Sequence, residues 1–154
     1  MNLRKTFQIL SYLQYPLMLT ALFFALKPYF HGFDYMVEHY MLMLEDFNKM
    51  LIFMGLGISF STLQDTTKTQ NKFSQKIWED PKKGKIVLYV MLFMVLLLIT
   101  FGCSAYFFMP NEAFQELSIG SIVLGIGFIG FLKTGFEVFE NHRLDKKVER
   151  TNDS

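Results

Sequence analysis

Long uncharged stretches separate the charged blocks of this 154-residue chain, and they limit what it can fold into. Two of them, 6–26 and 86–111, contain 21 and 26 residues without an Asp, Glu, Lys or Arg. A helix of about 20 apolar residues crosses the roughly 30 Å hydrocarbon core of a bilayer. Both stretches reach that length, so they predict transmembrane helices.

Two shorter uncharged stretches, 50–64 and 117–132, contain 15 and 16 residues. Each reaches spanning length if the adjoining lysine, Lys49 or Lys133, extends its ammonium group toward the headgroups. The alternative for each is a buried helix or a re-entrant segment. We predict an all-α fold, a polytopic four-transmembrane-helix bundle. It forms a single membrane domain, 1–154, with spans at about 6–27, 47–65, 85–109 and 115–136.

The first uncharged stretch follows two basic residues, as the apolar core of a signal peptide does. It is longer and more aromatic than such a core, and it ends in LKP without a small-x-small cleavage site. It therefore predicts a retained span, which Pro16 is expected to kink. Gln8, Ser11 and Tyr15 lie at i, i+3 and i+7 and are expected to face inward.

The Lys and Arg residues are unevenly divided between the two predicted sides of the membrane. The N-terminal arm, second loop and tail carry 13, whereas the first loop carries 2 and the third none. Cytoplasmic segments carry the excess of these residues, so both termini are predicted in the cytoplasm, the N-in/C-in topology. Frequent Phe, Lys, Ile and Met residues are typical of an AT-rich bacterial genome, which favours the bacterial inner membrane.

The first loop predicts an outer amphipathic segment, 33–46, that continues into the second span. Its apolar residues recur at three- and four-residue spacing. Several potential metal ligands lie in or beside it: His31, Asp34, Glu38, His39 and Glu45. None of them has the HExxH or Glu-x-x-His spacing of known metal sites, so a solvated acidic face is preferred and no metal is expected.

The cytoplasmic loop 65–85 has aromatic and basic residues typical of a membrane interface. With one lysine of the fourth span, the predicted interface residues are Phe73, Ile77, Trp78, Lys82, Lys83, Lys85 and Lys133. Asp80 followed by Pro81 predicts a helix N-cap and first helical position. The cytoplasmic tail 137–154 is expected to prolong the last helix, with Lys133 paired to Glu137 one turn away.

Small residues form a stripe on each of the second and fourth spans. Such stripes let helix backbones approach closely in a membrane, where no hydrophobic force drives helices together. The predicted helix-packing residues are Gly55, Ser59 and Thr62 in the second span and Gly120, Gly127, Gly130 and Thr134 in the fourth. The larger residues of the first and third spans favour lipid contact.

No charged residue or histidine lies within the uncharged stretches, so proton relays and ion paths are disfavoured. The lone Cys103 fits as a span residue, and we expect no enzyme and no cofactor. A net charge of +1 disfavours nucleic-acid binding. The expected function is helix–helix association with a membrane protein or a second copy, as an accessory or self-associating subunit. The alternative is a small homo-oligomeric channel or transporter, with spans 2 and 4 lining the pathway.

Overall fold

A computed structural model describes residues 3–32, 37–64 and 72–145, and their regular elements are all helical. The helices are α1 Leu3–Ser11, α2 Gln14–Leu26, α3 Tyr40–Ser61, α4 Lys72–Glu79, α5 Pro81–Phe108 and α6 Glu112–His142. A 3₁₀ turn, Lys27–His31, follows α2. The predicted all-α class is therefore confirmed for the described part of the chain.

Three helical segments within these ranges are long and apolar enough to cross a membrane: Lys5–Phe30, Pro81–Phe108 and Glu112–His142. They correspond to the predicted first, third and fourth spans. The predicted second span falls on α3, whose 22 residues extend about 33 Å at 1.5 Å per residue. Three charged residues in its first half, Glu45, Asp46 and Lys49, make it less apolar than the others.

The first predicted span is interrupted between α1 and α2, at residues 12–13 and one turn before Pro16. Proline lacks an N–H and its ring clashes with the carbonyl four residues earlier, which here belongs to Tyr12. The backbone tightens there, since the Tyr15 N–H donates to the Tyr12 carbonyl at 3.1 Å. The interruption rotates α2 relative to α1. Ser11 is fully buried as predicted, whereas Tyr15 is 64% exposed and the prediction that it faces inward is wrong.

Four helices pack side by side in the order α2, α3, α6, α5, which we call the helix row. Helix α2 runs antiparallel to α3, since Phe24 stacks on Phe53 and Gly57 lies against Met18. The predicted four-transmembrane-helix bundle is not confirmed, since closing the row into a bundle requires a further interface between α2 and α5. No interface comparable to the three in the row joins those two helices within the described ranges.

Polar side chains cap the N-termini of α5 and α6. The Asp80 carboxylate accepts hydrogen bonds from the backbone N–H groups of Lys82 at 2.9 Å and Lys83 at 3.2 Å, so the predicted N-cap of α5 is confirmed. Asn111 caps α6 in the same way through the Ala113 N–H at 3.0 Å. Helix α4 packs against the start of α5 and the end of α6.

The interior of the helix row contains mainly small residues, together with a few larger ones such as Leu124 and Phe139, and its outer surface carries large apolar side chains. The largest fully buried side chains among the described residues are three serines: Ser11, Ser118 and Ser121. Leu19 on α2 and Phe93 on α5 are instead 68% and 63% exposed. A water-soluble protein buries its large apolar residues. The reverse distribution is compatible with a multi-pass protein whose large side chains contact lipid.

Candidate helix-packing site

The central interface of the row joins α3 to α6 through backbone contact at Gly55 and Gly127. A Cβ atom added to Gly55 would lie 2.7 Å from the Val123 carbonyl oxygen and 2.8 Å from the Leu124 Cα. A Cβ atom on Gly127 would overlap the carbonyl oxygen of Gly55. Neither position has room for any side chain, so the two predicted glycines meet each other.

The same interface continues toward the first turns of α3 through Asn48. The Gly120 N–H donates to the Asn48 Oδ1 at 2.9 Å, and a Cβ atom on Gly120 would lie 2.6 Å from that oxygen. Sequence reasoning missed Asn48, because the stripe was sought only within the uncharged stretch. Its spacing was the available signal, since Asn48, Gly55 and Thr62 are each seven residues apart.

At the opposite end, α3 meets α6 around two threonines. The Thr134 hydroxyl donates to the Gly130 carbonyl at 3.1 Å and lies 3.5 Å from the Thr62 carbonyl oxygen. A Cβ atom on Gly130 would approach the Thr62 Cγ2 to 3.2 Å. Ser59 does not reach across, because its hydroxyl donates to the Gly55 carbonyl of its own helix at 2.9 Å.

These contacts define the α3–α6 seam, a parallel interface with three levels: Asn48 with Gly120, Gly55 with Gly127, and Thr62 with Thr134. The contacting residues are offset by 72 positions at each level. A seven-residue spacing on both helices is typical of shallow left-handed crossings. Six of the seven predicted packing residues therefore lie in one continuous seam, with Ser59 beside it.

A second small-residue interface joins α6 to α5, and the sequence reasoning did not predict it. A Cβ atom on Gly125 would lie 2.8 Å from the Ile99 Cγ1, and one on Gly102 would lie 3.0 Å from the Ser118 carbonyl oxygen. The Ser121 hydroxyl donates across the interface to the Leu98 carbonyl at 3.0 Å. The third span therefore packs against α6 along part of its circumference, and lipid contact stays a prediction for the remainder.

Paired charges connect α2 to α3 at the end of the row near Lys27. The Lys27 ammonium lies 2.8 Å from an oxygen of Asp46, whose residue is 6% exposed. Lys49 pairs with Glu45 at 2.6 Å on the same helix. Both ammonium groups lie about 6 Å from the centre of the Phe24 ring, close enough for cation–π attraction. The three charges of α3 thus all have partners at one end of the helix.

The predicted membrane-interface residues occupy the end of the row where α5 begins. Trp78 is half-buried, with its Nε1 donating to the Ser74 hydroxyl at 3.0 Å and its ring 3.4 Å from where Gly135 would carry a Cβ. Ile77 is also half-buried, and the Phe73 side chain lies outside the described structure.

The lysines of this set are exposed. Lys83 lies 3.3 Å from an Asp80 oxygen, and Lys133 pairs with Glu137 at 3.1 Å as predicted. Lys82 and Lys85 extend from the first turns of α5. Whether these residues contact lipid headgroups stays a prediction.

The potential metal ligands of the first loop are only partly described. Asp34 and the His31 side chain lie outside the described residues, whereas Glu38 and His39 are exposed. Among the residues the structure describes, no three His, Cys, Asp or Glu side chains are grouped as a metal site would require.

Compared with known proteins, the chain matches no family model, no curated protein and no solved structure.

Proposed function

We propose that the protein is a non-enzymatic subunit of a membrane complex that acts by helix–helix association, with a second copy or with another membrane protein. The main support for this proposal is the way in which the helices of the row pack against one another. Small residues hold its helices together in close contact, and large apolar residues cover its outside. Among the described helices, the open order of the row leaves flanks of α3 and α6 without a neighbouring helix, and a partner helix can pack there.

We further propose that α3, the predicted second span, also crosses the membrane and brings the number of spans to four. It packs against α2 on one side and α6 on the other, and both neighbours belong to segments long and apolar enough to cross a membrane. A helix held between two spanning helices shares their depth in the bilayer. Its charged residues are paired at one end, where the headgroups would lie, so their cost is reduced.

The bacterial inner membrane and cytoplasmic termini form part of the same proposal. Helix α2 runs antiparallel to α3, and α3 runs parallel to α6. This arrangement places the start of α2 and the end of α6 at the same end of the row. Nine of the eleven Lys and Arg residues in the described ranges lie toward that end, which favours the cytoplasmic side.

Cross-linking within native membranes tests association. A Cys103→Ser background removes the one native cysteine. Ile126→Cys then places a thiol on a 58% exposed position of α6, and Leu124→Cys places one at a 4% exposed position as the matched control. We expect a discrete product larger than the 18.1 kDa chain from Ile126→Cys and none from the control. A single-chain species throughout a scan of the exposed positions on α3 and α6 would contradict association.

The alternative function, a channel or transporter, requires a different arrangement of α3 and α6. A pathway lined by α3 and α6 needs space beside their small residues, whereas Gly55 and Gly127 are in backbone contact. This contact favours association over a pathway between the two helices of one copy. Ion or solute flux into liposomes containing the purified protein, above that of empty liposomes, would favour the channel instead.

A further inference from the structure

An apolar groove runs along the outer surface between α5 and α6, at the end where α5 begins and α6 finishes. Its volume is about 590 Å³, within the range of roughly 300–1,000 Å³ found for ligand sites. Leu92, Ile129 and Phe136 line its apolar part. The groove therefore has the size and the lining expected for a hydrocarbon chain.

The groove follows the direction of the helices. Lys85 lies at its outer end and Leu92 farther in, a separation of about 10 Å at 1.5 Å rise per residue. Helices α5 and α6 are antiparallel here, because Gly84 packs on Phe139 whereas Gly135 packs near Met91. Lipid chains run in the same direction as spanning helices, so a chain can lie in the groove without bending.

The charged residues of the lining are mainly basic: Lys85, Lys133 and Arg143, with Glu140 as the acidic member. The Lys133 side chain is 79% exposed and turns toward Glu137, in the direction of the outer end. Arg143 is held against the Phe139 ring and pairs with Glu140 at 3.1 Å. Its buried Nε makes no hydrogen bond in the described structure and lies 3.5 Å from a carboxylate oxygen of Asp145.

We propose that this groove binds one anionic phospholipid, with an acyl chain along Leu92 and Ile129 and the phosphate beside Lys85 and Arg143. Lys133 and Arg143 have carboxylate partners, whereas no carboxylate pairs with Lys85 among the described residues. Lys85 therefore favours a headgroup with net negative charge over a zwitterionic one. The inference requires α5 and α6 to lie in a bilayer and does not depend on association with another protein.

Native mass spectrometry of the detergent-solubilised full chain measures this binding directly. Phosphatidylglycerol and phosphatidylcholine with identical chains are titrated in parallel, and we expect one phosphatidylglycerol to be retained selectively. Lys85→Gln should weaken that binding about fivefold, the effect expected for one cation at a lipid surface. Lys82→Gln is the matched control, because Lys82 is exposed on the same helix and does not line the groove.

A second variant tests the apolar part. Ile129→Trp fills the groove from a position that is 47% exposed, so the fold should tolerate it, and it should abolish retention of the lipid. Matching melting curves by circular dichroism establish that each variant is folded. Three results would overturn the proposal: equal retention of the two lipids, equal loss in Lys82→Gln and Lys85→Gln, or full competition by glycerol 3-phosphate, which has no acyl chain.

Discussion

At Gly55 and Gly127 of the α3–α6 seam, the two helices are too close for a Cβ atom, which every residue except glycine carries. Gly127→Ala places a methyl group against the backbone of Gly55, which cannot move without separating the helices. Gly57→Ala is the matched control, since its methyl group would meet the flexible Met18 side chain at 3.2 Å. Both changes gain the same helix propensity, about 1 kcal/mol, so their difference isolates the overpacking cost of about 1–3 kcal/mol.

We therefore expect Gly127→Ala to insert normally and to unfold at lower temperature than Gly57→Ala in the same detergent. Gly55→Ala should resemble Gly127→Ala, because its methyl group would also meet backbone atoms. Leu96→Ile, at a 57% exposed position of α5, should change little. Equal melting temperatures for all three glycine variants would mean that the seam is loose and that the glycines serve flexibility.

Asp80 offers a second residue-scale test outside the apolar part of α5. The N–H groups of Lys83 and Lys82, together with the Lys83 ammonium, hold the pKa of this carboxyl below the ordinary 3.8 of an aspartate. A depressed pKa means that the cap stabilises the helix above pH 3.8 and that this stability is lost as the pH falls through the folded value. The Lys82 amide proton resonance should follow this titration, with a midpoint below 3.8. A midpoint at or above 3.8 would contradict the cap.

At the scale of whole helices, the packing of α4 leads to a prediction about the fluorescence of Trp78. Trp78 is the one tryptophan of the chain, and its ring packs near Gly135 on α6. We expect blue-shifted emission and weak quenching by aqueous acrylamide. Gly135→Ile should displace the ring and shift the emission to the red, whereas Ile126→Leu on the exposed side of α6 should not. Emission typical of exposed indole in the wild-type protein would mean that α4 stands away from the row.

Helices α5 and α6 could be predicted from the sequence because uncharged stretches and polar caps mark their ends. The predicted spans 85–109 and 115–136 agree with Pro81–Phe108 and Glu112–His142 to within a few residues. The difference is largest at the end of α6, which continues into the tail as expected. Pro16 was expected to kink the first span, and the helix is interrupted one turn before it, since proline acts on the carbonyl four residues earlier. A proline therefore predicts that a helix is distorted more reliably than it predicts where the distortion lies.

The partners of each helix were harder to predict than the helices themselves. A small-residue stripe indicates that a backbone passes close by, and Gly55 with Gly127 illustrates this on both sides of one seam. The α5–α6 interface was missed because Gly102 and Ala105 lie among large side chains that face outward. Asn48 was missed because it lies beside Lys49, outside the uncharged stretch. Which helix faces pair depends on how all the helices pack together, so a single small-residue stripe does not identify its partner helix.

For the whole molecule, the order of the row gives the central position to α6. One of its faces carries Gly120 and Gly127 toward α3, and another carries Ser118, Ser121 and Gly125 toward α5. Both of these interfaces are built from small residues, which is why α6 is richer in glycine than α3, the other inner helix of the row. Helices α2 and α5, at the ends of the row, present large side chains outward, which a membrane favours and water does not.

The arrangement of the whole chain across the bilayer leads to the last prediction. Because α2 is antiparallel to α3 and α3 is parallel to α6, the start of α2, the end of α3 and the end of α6 lie at one end of the row. Nine of the eleven Lys and Arg residues in the described ranges lie toward that end. A reporter active only in the cytoplasm should therefore work after Ser154 or near Gln70, and should be silent near Tyr35 or Asn111.

Matched expression of the four fusions, checked by immunoblot, controls for unequal synthesis. Activity at Asn111 together with Ser154 would place both ends of α6 on one side and would remove the four-span arrangement. Activity at Tyr35 and Gln70 together would mean that α3 does not cross the bilayer. In that case the charges of Glu45, Asp46 and Lys49 would have decided its position, and the seam with α6 would have to form at the membrane surface.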